Sequence, residues 1–208
     1  MNHDDNNLGE FGGTSLMEEN DRPAPLEDTG KKPGPAGKIL YAVEVILGIA
    51  MLALILSMVF VFRFFYVPTG SMEPTLKAND RIVVNMMGYK YREPRRGDIV
   101  VFKYPLNKNR DYVKRLIGMP GEEVEIKNSK VFINGKELKE DYLPPGVQCR
   151  NYGPVTVPEN NYLMLGDNRA NSEDSRMWGT LPRELVMGKA VMIFWPRDRI
   201  TSLAADWL

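Results

Sequence analysis

The segment Val45–Phe62 constrains the fold of this chain more than any other, because its eighteen consecutive residues carry no charge. A helix over Leu40–Phe65 would be about 39 Å long at 1.5 Å per residue, which exceeds a hydrocarbon core of about 30 Å. The run is too long and too uniformly apolar for the buried helix of a soluble protein. It starts too far into the chain for a removed signal peptide, and no small-x-small cleavage site follows it. We therefore predict an uncleaved transmembrane anchor over residues 38–66.

The segment before this anchor has a different composition. Residues 1–37 carry eight acidic and three basic residues and few large apolar side chains. Such a segment cannot bury enough surface to offset its ordering entropy, so we predict a disordered acidic tail. The positive-inside rule barely decides the orientation of the anchor. Three lysines precede the anchor and three basic residues follow it: Lys31, Lys32 and Lys38, then Arg63, Lys77 and Arg81.

Short β-branched or aromatic runs separated by turn residues dominate the chain after Pro68. Asn134-Gly135, directly after one of these runs, is a strong two-residue hairpin signal. The pattern predicts a compact, mostly antiparallel β domain over residues 67–208. The predicted strands are Arg81–Asn85, Asp98–Phe102, Tyr112–Ile117, Glu123–Ile126, Lys130–Ile133, Tyr162–Leu165 and Ala190–Trp195.

Ser71 lies a few residues beyond the apolar segment and is a candidate nucleophile. The single histidine of the chain, His3, is in the N-terminal tail, so a lysine, aspartate or glutamate would have to accept the proton of Ser71. Lys114 lies inside an apolar strand-like run, where it shares a face with Tyr112 and Leu116. A buried lysine has a lowered pKa and can act as a general base. The spacing alone leaves open whether Lys114 points inward, and it makes Arg115 the candidate for the solvent-facing charge.

The composition argues against several other functions. The single cysteine, Cys149, excludes an intrachain disulfide and a Cys-rich zinc site, and we expect no metal and no cofactor. The formal net charge is zero, so there is no electrostatic case for binding nucleic acid.

Four sequence blocks that follow the anchor in order carry a family resemblance. They are Ser71–Leu76, Arg96–Phe102, Lys114–Gly118 with Pro120-Gly121-Glu122, and Gly166–Arg176. Together with the anchor they resemble the bacterial type I signal peptidases, also called leader peptidases. The resemblance covers the anchor and most of residues 66–195.

This resemblance implies a Ser-Lys dyad, with Ser71 as the acyl-enzyme nucleophile and Lys114 as the general base. The backbone N–H of Ser71 and the hydroxyl of Thr69 are the implied oxyanion donors. Ser172 is the implied partner that orients the lysine, and Asp174 and Arg176 form a supporting pair.

The resemblance also implies the fold, the substrate and the location of the chain. The fold is a catalytic domain of coiled antiparallel β-sheets, and the reaction removes N-terminal signal peptides from exported preproteins after small-x-small motifs. The signal peptide would bind as an extended strand near residues 65–71 and 111–114. The enzyme would sit in the plasma membrane as a single-pass protein, with a cytoplasmic N-terminus and an extracytoplasmic catalytic domain.

Two alternatives remain at this point. A self-cleaving Ser-Lys peptidase has a related fold, although such proteins usually carry a DNA-binding module where this chain has an anchor. A catalytically silent, membrane-anchored binding protein could retain the fold without the reaction, although the presence of both Ser71 and Lys114 argues against it.

Overall fold

The computed structural model describes residues 34–203. The predicted disordered tail falls mainly on residues 1–33, which lie outside the described residues. The chain divides into two compact units, residues 1–46 and 47–208. The described part of the first unit is helical from Pro35, and the second unit contains the rest of that helix and all the strands.

One long helix, α1 (Pro35–Val61), contains the apolar segment. Its 27 residues correspond to about 40 Å, and it is the one helix in residues 34–203 that is long and apolar enough to cross a membrane. No residue of α1 is buried. This helix starts five residues before Leu40 and ends four residues before Phe65, because residues 62–66 form a strand instead.

Between residue 62 and residue 203, twelve strands and two short helices follow α1. The strands are β1 (Phe62–Tyr66), β2 (Arg81–Asn85), β3 (Ile99–Tyr104), β4 (Asn107–Gly118), β5 (Glu123–Lys127), β6 (Lys130–Ile133), β7 (Lys136–Glu137), β8 (Tyr152–Thr156), β9 (Asn161–Leu165), β10 (Leu181–Pro182), β11 (Val186–Trp195) and β12 (Thr201–Ser202). The short helices are α2 (Gly88–Tyr91) and α3 (Ser175–Trp178), and single 3₁₀ turns occur at Arg183–Leu185 and Arg197–Arg199.

The strands form two antiparallel sheets. The larger sheet has the order β1-β2-β11-β3-β4-β9-β10, with β12 also paired to β11. The smaller sheet has the order β7-β6-β5-β8. The predicted fold class, antiparallel β-sheets after an apolar helix, is therefore confirmed for the described residues.

The first strand lies inside the segment that the sequence assigned to the anchor. Residues 62–66 pair with β2, so that Phe62 lies opposite Asn85 and Tyr66 lies opposite Arg81. The predicted anchor segment therefore contains two elements, the end of a helix and an edge strand of the larger sheet.

Three hydrophobic clusters hold the sheets together. The first joins the segment after β1 to β2, β3 and β11 and includes Met72 and Leu76. The second packs Val100 and Phe102 of β3 against Leu116 of β4 and neighbouring strands. The third lies between the smaller sheet and the other side of β4 and β9. Apolar side chains from both faces of the central strands are therefore removed from water, which is the dominant stabilising contribution in such a domain.

The predicted hairpin at Asn134-Gly135 is present between β6 and β7. Asn134 and Gly135 have φ values of 49° and 77°, the left-handed conformation that a type I′ turn requires at both central residues.

Candidate active site

Ser71 lies in the loop that joins β1 to β2, and the core and one asparagine hold this loop in place. Met72 and Leu76, which follow Ser71, are completely buried in the first hydrophobic cluster. Asn168 donates from its backbone N–H to the carbonyl of Ser71 at 3.2 Å and from Nδ2 to the carbonyl of Gly70 at 3.1 Å. The position of the hydroxyl is thus determined from both sides of the loop.

Lys114 lies in the middle of β4, opposite Val100 of β3. Only 3% of Lys114 is exposed. Its Nζ atom donates a hydrogen bond to Ser71 Oγ at 2.7 Å and to the carbonyl of Val113 at 3.1 Å. The structure thus brings the candidate nucleophile and the candidate base into direct contact.

The surroundings of Lys114 favour the neutral amine. Burial lowers the pKa of Lys114 from 10.5 to about 8, although the nearby carboxylates of Asp174, Glu173 and Asp167 act in the opposite direction. The guanidinium of Arg176 lowers this pKa further. With this pKa, about a tenth of Lys114 is neutral at pH 7 and able to accept a proton, against about one part in three thousand for an ordinary lysine.

Two of the predicted oxyanion donors lie at Ser71. Within residues 34–203, the backbone N–H of Ser71 donates no hydrogen bond, so it is free for a ligand. The hydroxyl of Thr69 donates to Ser71 Oγ at the long distance of 3.4 Å. Both groups could therefore donate a hydrogen bond to an oxygen atom bound beside Ser71.

Ser172 lies next to this centre without the contact that the sequence implied. Its Oγ atom is buried and has no hydrogen-bond partner within the described residues, so no bond joins Ser172 to Lys114 here. A Cβ atom on Gly166 would lie 2.0 Å from Ser172 Oγ and 2.4 Å from the carbonyl oxygen of Ser71. Glycine at position 166 therefore leaves room for Ser172 beside Ser71, where a larger residue would collide with both.

Asp174 and Arg176 form an ion pair in the loop that carries Ser172. Arg176 donates from Nε to Asp174 Oδ1 and from Nη2 to Asp174 Oδ2, each at 2.7 Å. Asp174 also accepts the backbone N–H of Gly166 at 2.9 Å and that of Arg176 at 3.3 Å, and it is the N-cap of α3. The pair thus fixes the return of this loop to β9.

Arg115 does not face solvent, which corrects the assignment made from strand alternation. It is 3% exposed and donates to both carboxylate oxygens of Asp167, at 2.8 and 2.6 Å. Thr75 also donates to Asp167 at 2.6 Å, and Arg115 donates to the carbonyl of Gly97 at 2.9 Å. Both faces of β4 are buried here, because loops cover the face that alternation assigned to water.

A cleft of about 350 Å³ opens beside Ser71 and Lys114. Residues 67–71 line one side and residues 111–114 line the other, and Asn171 and Glu173 complete the lining. Residues 111–114 pair with β3 on one side, whereas β9 pairs with β4 only from Arg115 onwards. The cleft therefore borders a stretch of strand with an open hydrogen-bonding edge.

Glu173 is a residue of this cleft that sequence reasoning missed. Its carboxylate accepts hydrogen bonds from the hydroxyls of Tyr104 at 2.6 Å and Tyr112 at 3.0 Å. The two tyrosine rings stack with centroids 4.4 Å apart. These hydrogen bonds lower the pKa of Glu173, so a fixed negative charge lies at the rim of the cleft. Glu173 lies between Ser172 and Asp174 of the recognised loop, but no local sequence pattern marks Glu173 itself.

Two observations on the described residues concern metal ligands and the single cysteine. No group of three or more His, Cys, Asp or Glu side chains that could hold a metal ion occurs within residues 34–203. Cys149 is a free, half-buried thiol whose pKa is raised by burial.

Comparison with known proteins assigns the chain to a family. The family model described as signal peptidase, peptidase S26, matches residues 39–195, which is most of the chain. The chain belongs to the signal peptidase family. The match includes Ser71, Lys114 and the loop Gly166–Arg176, and the predicted family resemblance is confirmed.

Several named members of the signal peptidase family are similar in sequence. The probable signal peptidase I-2 of Synechocystis sp. is 46% identical over 148 residues, which cover 68% of this chain and 66% of that protein. Signal peptidase I of Leptolyngbya laminosa is 37% identical over 202 residues, which cover 90% of this chain and 97% of that protein. Signal peptidase IB of Staphylococcus aureus is 38% identical over 172 residues, which cover 74% of this chain and 89% of that protein.

A crystal structure of a signal peptidase I from Enterococcus faecalis V583 aligns with a TM-score of 0.43 and 37% sequence identity, and it covers 47% of this chain and 97% of that chain. The signal peptidases are serine endopeptidases, so the predicted enzyme class is confirmed at the level of the family.

Proposed function

We propose that this chain is a membrane-anchored serine endopeptidase that removes N-terminal signal peptides from exported preproteins. Membership of the signal peptidase family supports the reaction class. The observation that carries the proposal is the 2.7 Å contact between Lys114 Nζ and Ser71 Oγ at a buried lysine. A surface lysine would be protonated and hydrated, and it could not serve as a base near neutral pH.

In the proposed mechanism, the neutral amine of Lys114 removes the proton of Ser71 while Ser71 Oγ attacks the carbonyl carbon before the cleavage site. The backbone N–H of Ser71 and the hydroxyl of Thr69 stabilise the oxyanion of the tetrahedral intermediate. The C–N bond then breaks, and the Lys114 ammonium gives its proton to the departing amine of the mature protein. An ester between the signal peptide and Ser71 remains.

Water completes the reaction. Lys114 removes a proton from the water molecule that attacks the ester, and a second tetrahedral intermediate forms. This intermediate collapses as the ester C–O bond breaks and the Lys114 ammonium returns its proton to Ser71 Oγ, which releases the signal peptide. Ser172, whose buried hydroxyl has no partner, is available to hold the amine of Lys114 in position. Asp174 and Arg176 keep the loop of Ser172 in place.

The open edge of residues 111–114 supports an extended substrate. A signal peptide end lying between residues 67–71 and 111–114 could add a strand to β4, and its backbone would supply affinity. The modest volume of the cleft, about 350 Å³, favours small side chains near the cleavage site. We infer cleavage after small-x-small motifs on this basis, together with the family resemblance.

We further propose that α1 anchors the chain in the plasma membrane as a single-pass protein, with the N-terminus in the cytoplasm and the catalytic domain outside. The length and composition of α1 support the anchor, and the family resemblance supports the orientation. Residues 1–37 would then be a cytoplasmic tail. The catalytic domain, predicted over 67–208, would include β1 as well, because residues 62–66 pair with its sheet.

Cleavage of a model preprotein by the detergent-solubilised full chain tests this function. Wild type should cut once, after a small-x-small motif, whereas Ser71→Ala and Lys114→Ala should each lower the rate to background. Lys114→Arg should also be inactive, because a guanidinium is not deprotonated at working pH. Unchanged thermal unfolding of Ser71→Ala would show that its inactivity is chemical.

The same assay separates the two alternatives. A silent binding protein would leave the preprotein intact even with wild type. A self-cleaving peptidase would cut itself rapidly at one site when incubated alone. Substantial activity of either alanine variant would rule out the Ser71–Lys114 dyad.

A further inference from the structure

A basic segment, residues 86–96, begins beside the carboxyl end of α1. The backbone N–H of Met86 donates a hydrogen bond of 2.8 Å to the carbonyl of Val61, the last residue of α1. The preceding residue, Asn85, lies opposite Phe62 in the β1–β2 pair. The segment therefore starts where the helix ends and the sheet begins.

Three exposed cations of this segment have no partner. Lys90, Arg92 and Arg95 are exposed, and their side chains form no ion pair or hydrogen bond with any residue between 34 and 203. Tyr91, between two of them, is 82% exposed. Single exposed arginines and lysines need no special explanation on a folded domain, but here three lie within six residues, in a segment that starts at the carboxyl end of α1.

The acidic residues of the same region are already neutralised. Glu93 pairs with Arg183 at 2.7 Å, and the buried Asp98 pairs with Lys189 at 2.5 Å and accepts the hydroxyl of Tyr89 at 3.0 Å. The three free cations therefore leave the segment with a net positive charge.

A cleft of about 510 Å³ lies within this region. Arg92, Arg95 and Lys189 line it together with the exposed Tyr91, and so do Glu93 and Asp98, which pair with Arg183 and Lys189. The two guanidinium groups that remain unpaired among the described residues can donate to a compact anionic group such as a phosphate ester.

We propose that Lys90, Arg92 and Arg95 form a docking surface for the anionic headgroups of the membrane that holds α1. This inference rests on the anchoring role of α1 stated under Proposed function. Lys90 follows Met86 by four positions, so its backbone lies within about 14 Å of Met86, which contacts the helix end, even in a fully extended chain. Long basic side chains can bridge much of that distance, and exposed Lys and Arg close to a bilayer surface are attracted to the anionic lipids of the leaflet that they face.

The docking surface would give the catalytic domain a second attachment to the bilayer. An aromatic side chain such as Tyr91 is favoured at the membrane interface, where its ring meets the apolar layer and its hydroxyl meets water. With attachments at α1 and at residues 90–95, the catalytic domain would be held at the bilayer surface at two points.

The test uses the full chain reconstituted into vesicles of phosphatidylcholine, alone or mixed with phosphatidylglycerol. A polarity-sensitive fluorophore is attached at Tyr91→Cys in a Cys149→Ser background. We expect emission at shorter wavelength in the anionic vesicles, with the shift reversed by high salt because exposed charges are screened. The combined variant Lys90→Gln, Arg92→Gln and Arg95→Gln should lose the shift.

A matched control removes three exposed charges from another surface. The variant Lys136→Gln, Lys139→Gln and Arg150→Gln should keep the shift. Equal emission in both kinds of vesicle, or an equal loss in the control variant, would overturn the docking surface.

Flotation of the same samples on a density gradient separates the two levels of the proposal. A chain that floats with both vesicles but shows no lipid-dependent shift retains its anchor and disproves only the docking surface. A chain that floats with neither vesicle disproves the anchoring role of α1, and with it this inference.

Discussion

Lys114 and Arg115 are adjacent, buried basic residues of β4 whose hydrogen-bond partners differ in charge. Arg115 has a bidentate carboxylate partner, whereas the hydrogen-bond partners of Lys114 Nζ are a hydroxyl and a carbonyl. A guanidinium stays charged and needs such a counter-ion, but an amine can lose its proton instead. The two residues are therefore not interchangeable, although both are almost fully buried.

This setting of Lys114 should cost stability. Its pKa of about 8 in the folded state lies below the ordinary 10.5, so the folded state binds the proton less tightly than the unfolded state. The destabilisation is complete below pH 8 and disappears as pH rises to the unfolded pKa. This pKa shift lowers the free energy of unfolding by on the order of 3 kcal/mol. Replacing Lys114 would relieve that cost but would also remove a hydrogen bond that contributes about 1 kcal/mol.

We accordingly expect Lys114→Met to raise the free energy of unfolding by about 2 kcal/mol near pH 7 while abolishing cleavage. Chemical unfolding in detergent at several pH values measures this, and the gain should shrink between about pH 8 and pH 10.5. A destabilised variant across this whole range would contradict the assigned environment of Lys114.

Glu173 should control the pH at which the enzyme becomes active. Its carboxylate, held by Tyr104 and Tyr112, raises the pKa of Lys114. The other nearby charges that act on Lys114 are Asp174, Asp167 and Arg176, and all three remain in the variant.

We expect Glu173→Gln to lower the pKa of Lys114 and to move the acid limb of the kcat profile to lower pH. Relative activity below pH 7 should therefore rise. The exposed Glu159, which does not line the cleft, supplies the control variant Glu159→Gln. An unchanged acid limb with a uniformly reduced kcat would indicate that Glu173 acts only by holding the loop.

At the scale of the elements, β4 shows why strand periodicity found the strand but misread one of its residues. The run Tyr112–Ile117 has the apolar, β-branched character of a strand, and it forms one. Alternation correctly separates the faces of Lys114 and Arg115, but it assumes that one face meets water. Here loops from elsewhere in the chain cover the second face, and such long-range contacts leave no local pattern.

The other errors at this scale have equally local causes. Residues 62–65 continue the apolar composition of α1, so only their pairing with β2 distinguishes the strand from the helix. β8 contains Pro154 and Gly153, which weaken strand propensity. The two-residue strands β7, β10 and β12 are too short for any periodicity.

The 3₁₀ turn after β11 stabilises the loop that carries Ser71. Arg199 donates to both carboxylate oxygens of the buried Asp80, at 2.8 and 2.9 Å, and to the carbonyl of Thr75 at 3.2 Å. Asp80 in turn accepts the backbone N–H of Lys77. An element near the end of the described chain thus holds a loop near its beginning.

We expect Arg199→Ala to lower the free energy of unfolding by about 2–3 kcal/mol, because the buried carboxylate loses its charged donor. Amide hydrogen exchange of residues 67–80 should accelerate, and cleavage should slow. Arg197→Ala, an exposed residue of the same turn, is the matched control and should change neither measurement. Equal exchange in the two variants would exclude this bracing role.

For the whole molecule, Arg115 and Asp167 connect four separate segments. Their ion pair joins β4 to the loop after β9, Thr75 adds the loop of Ser71, and the carbonyl of Gly97 adds the start of β3. The side chains are 3% and 0% exposed, so the charges depend on each other. Removal of one partner leaves an uncompensated buried charge.

We expect Asp167→Ala to destabilise the domain by about 3–5 kcal/mol. Asp141→Ala, at an exposed carboxylate paired only with Lys139, should cost less than about 1 kcal/mol. Thermal and chemical unfolding of the two variants in the same detergent make the comparison. Similar small losses would show that the buried network contributes little.

The sequence predicted the parts of the candidate site that short motifs mark, and it missed the parts that only packing creates. Ser71, Lys114, Thr69 and the Ser172–Arg176 loop were all named from their motifs, and they lie together in the structure. Glu173 and the buried role of Arg115 depend on tyrosine and aspartate partners far away in the chain. The missing bond between Ser172 and Lys114 also depends on side-chain positions that no motif encodes.

The direct passage from α1 into β1 has a mechanical consequence. Val61 ends the helix and Phe62 begins the strand, so no loop residue separates the two elements. If α1 fixes the height of Val61 in the bilayer, the pairing of β1 with β2 limits the distance of the candidate cleft from the membrane as well. The enzyme would then select a peptide bond by its distance from the membrane as well as by the side chains around that bond.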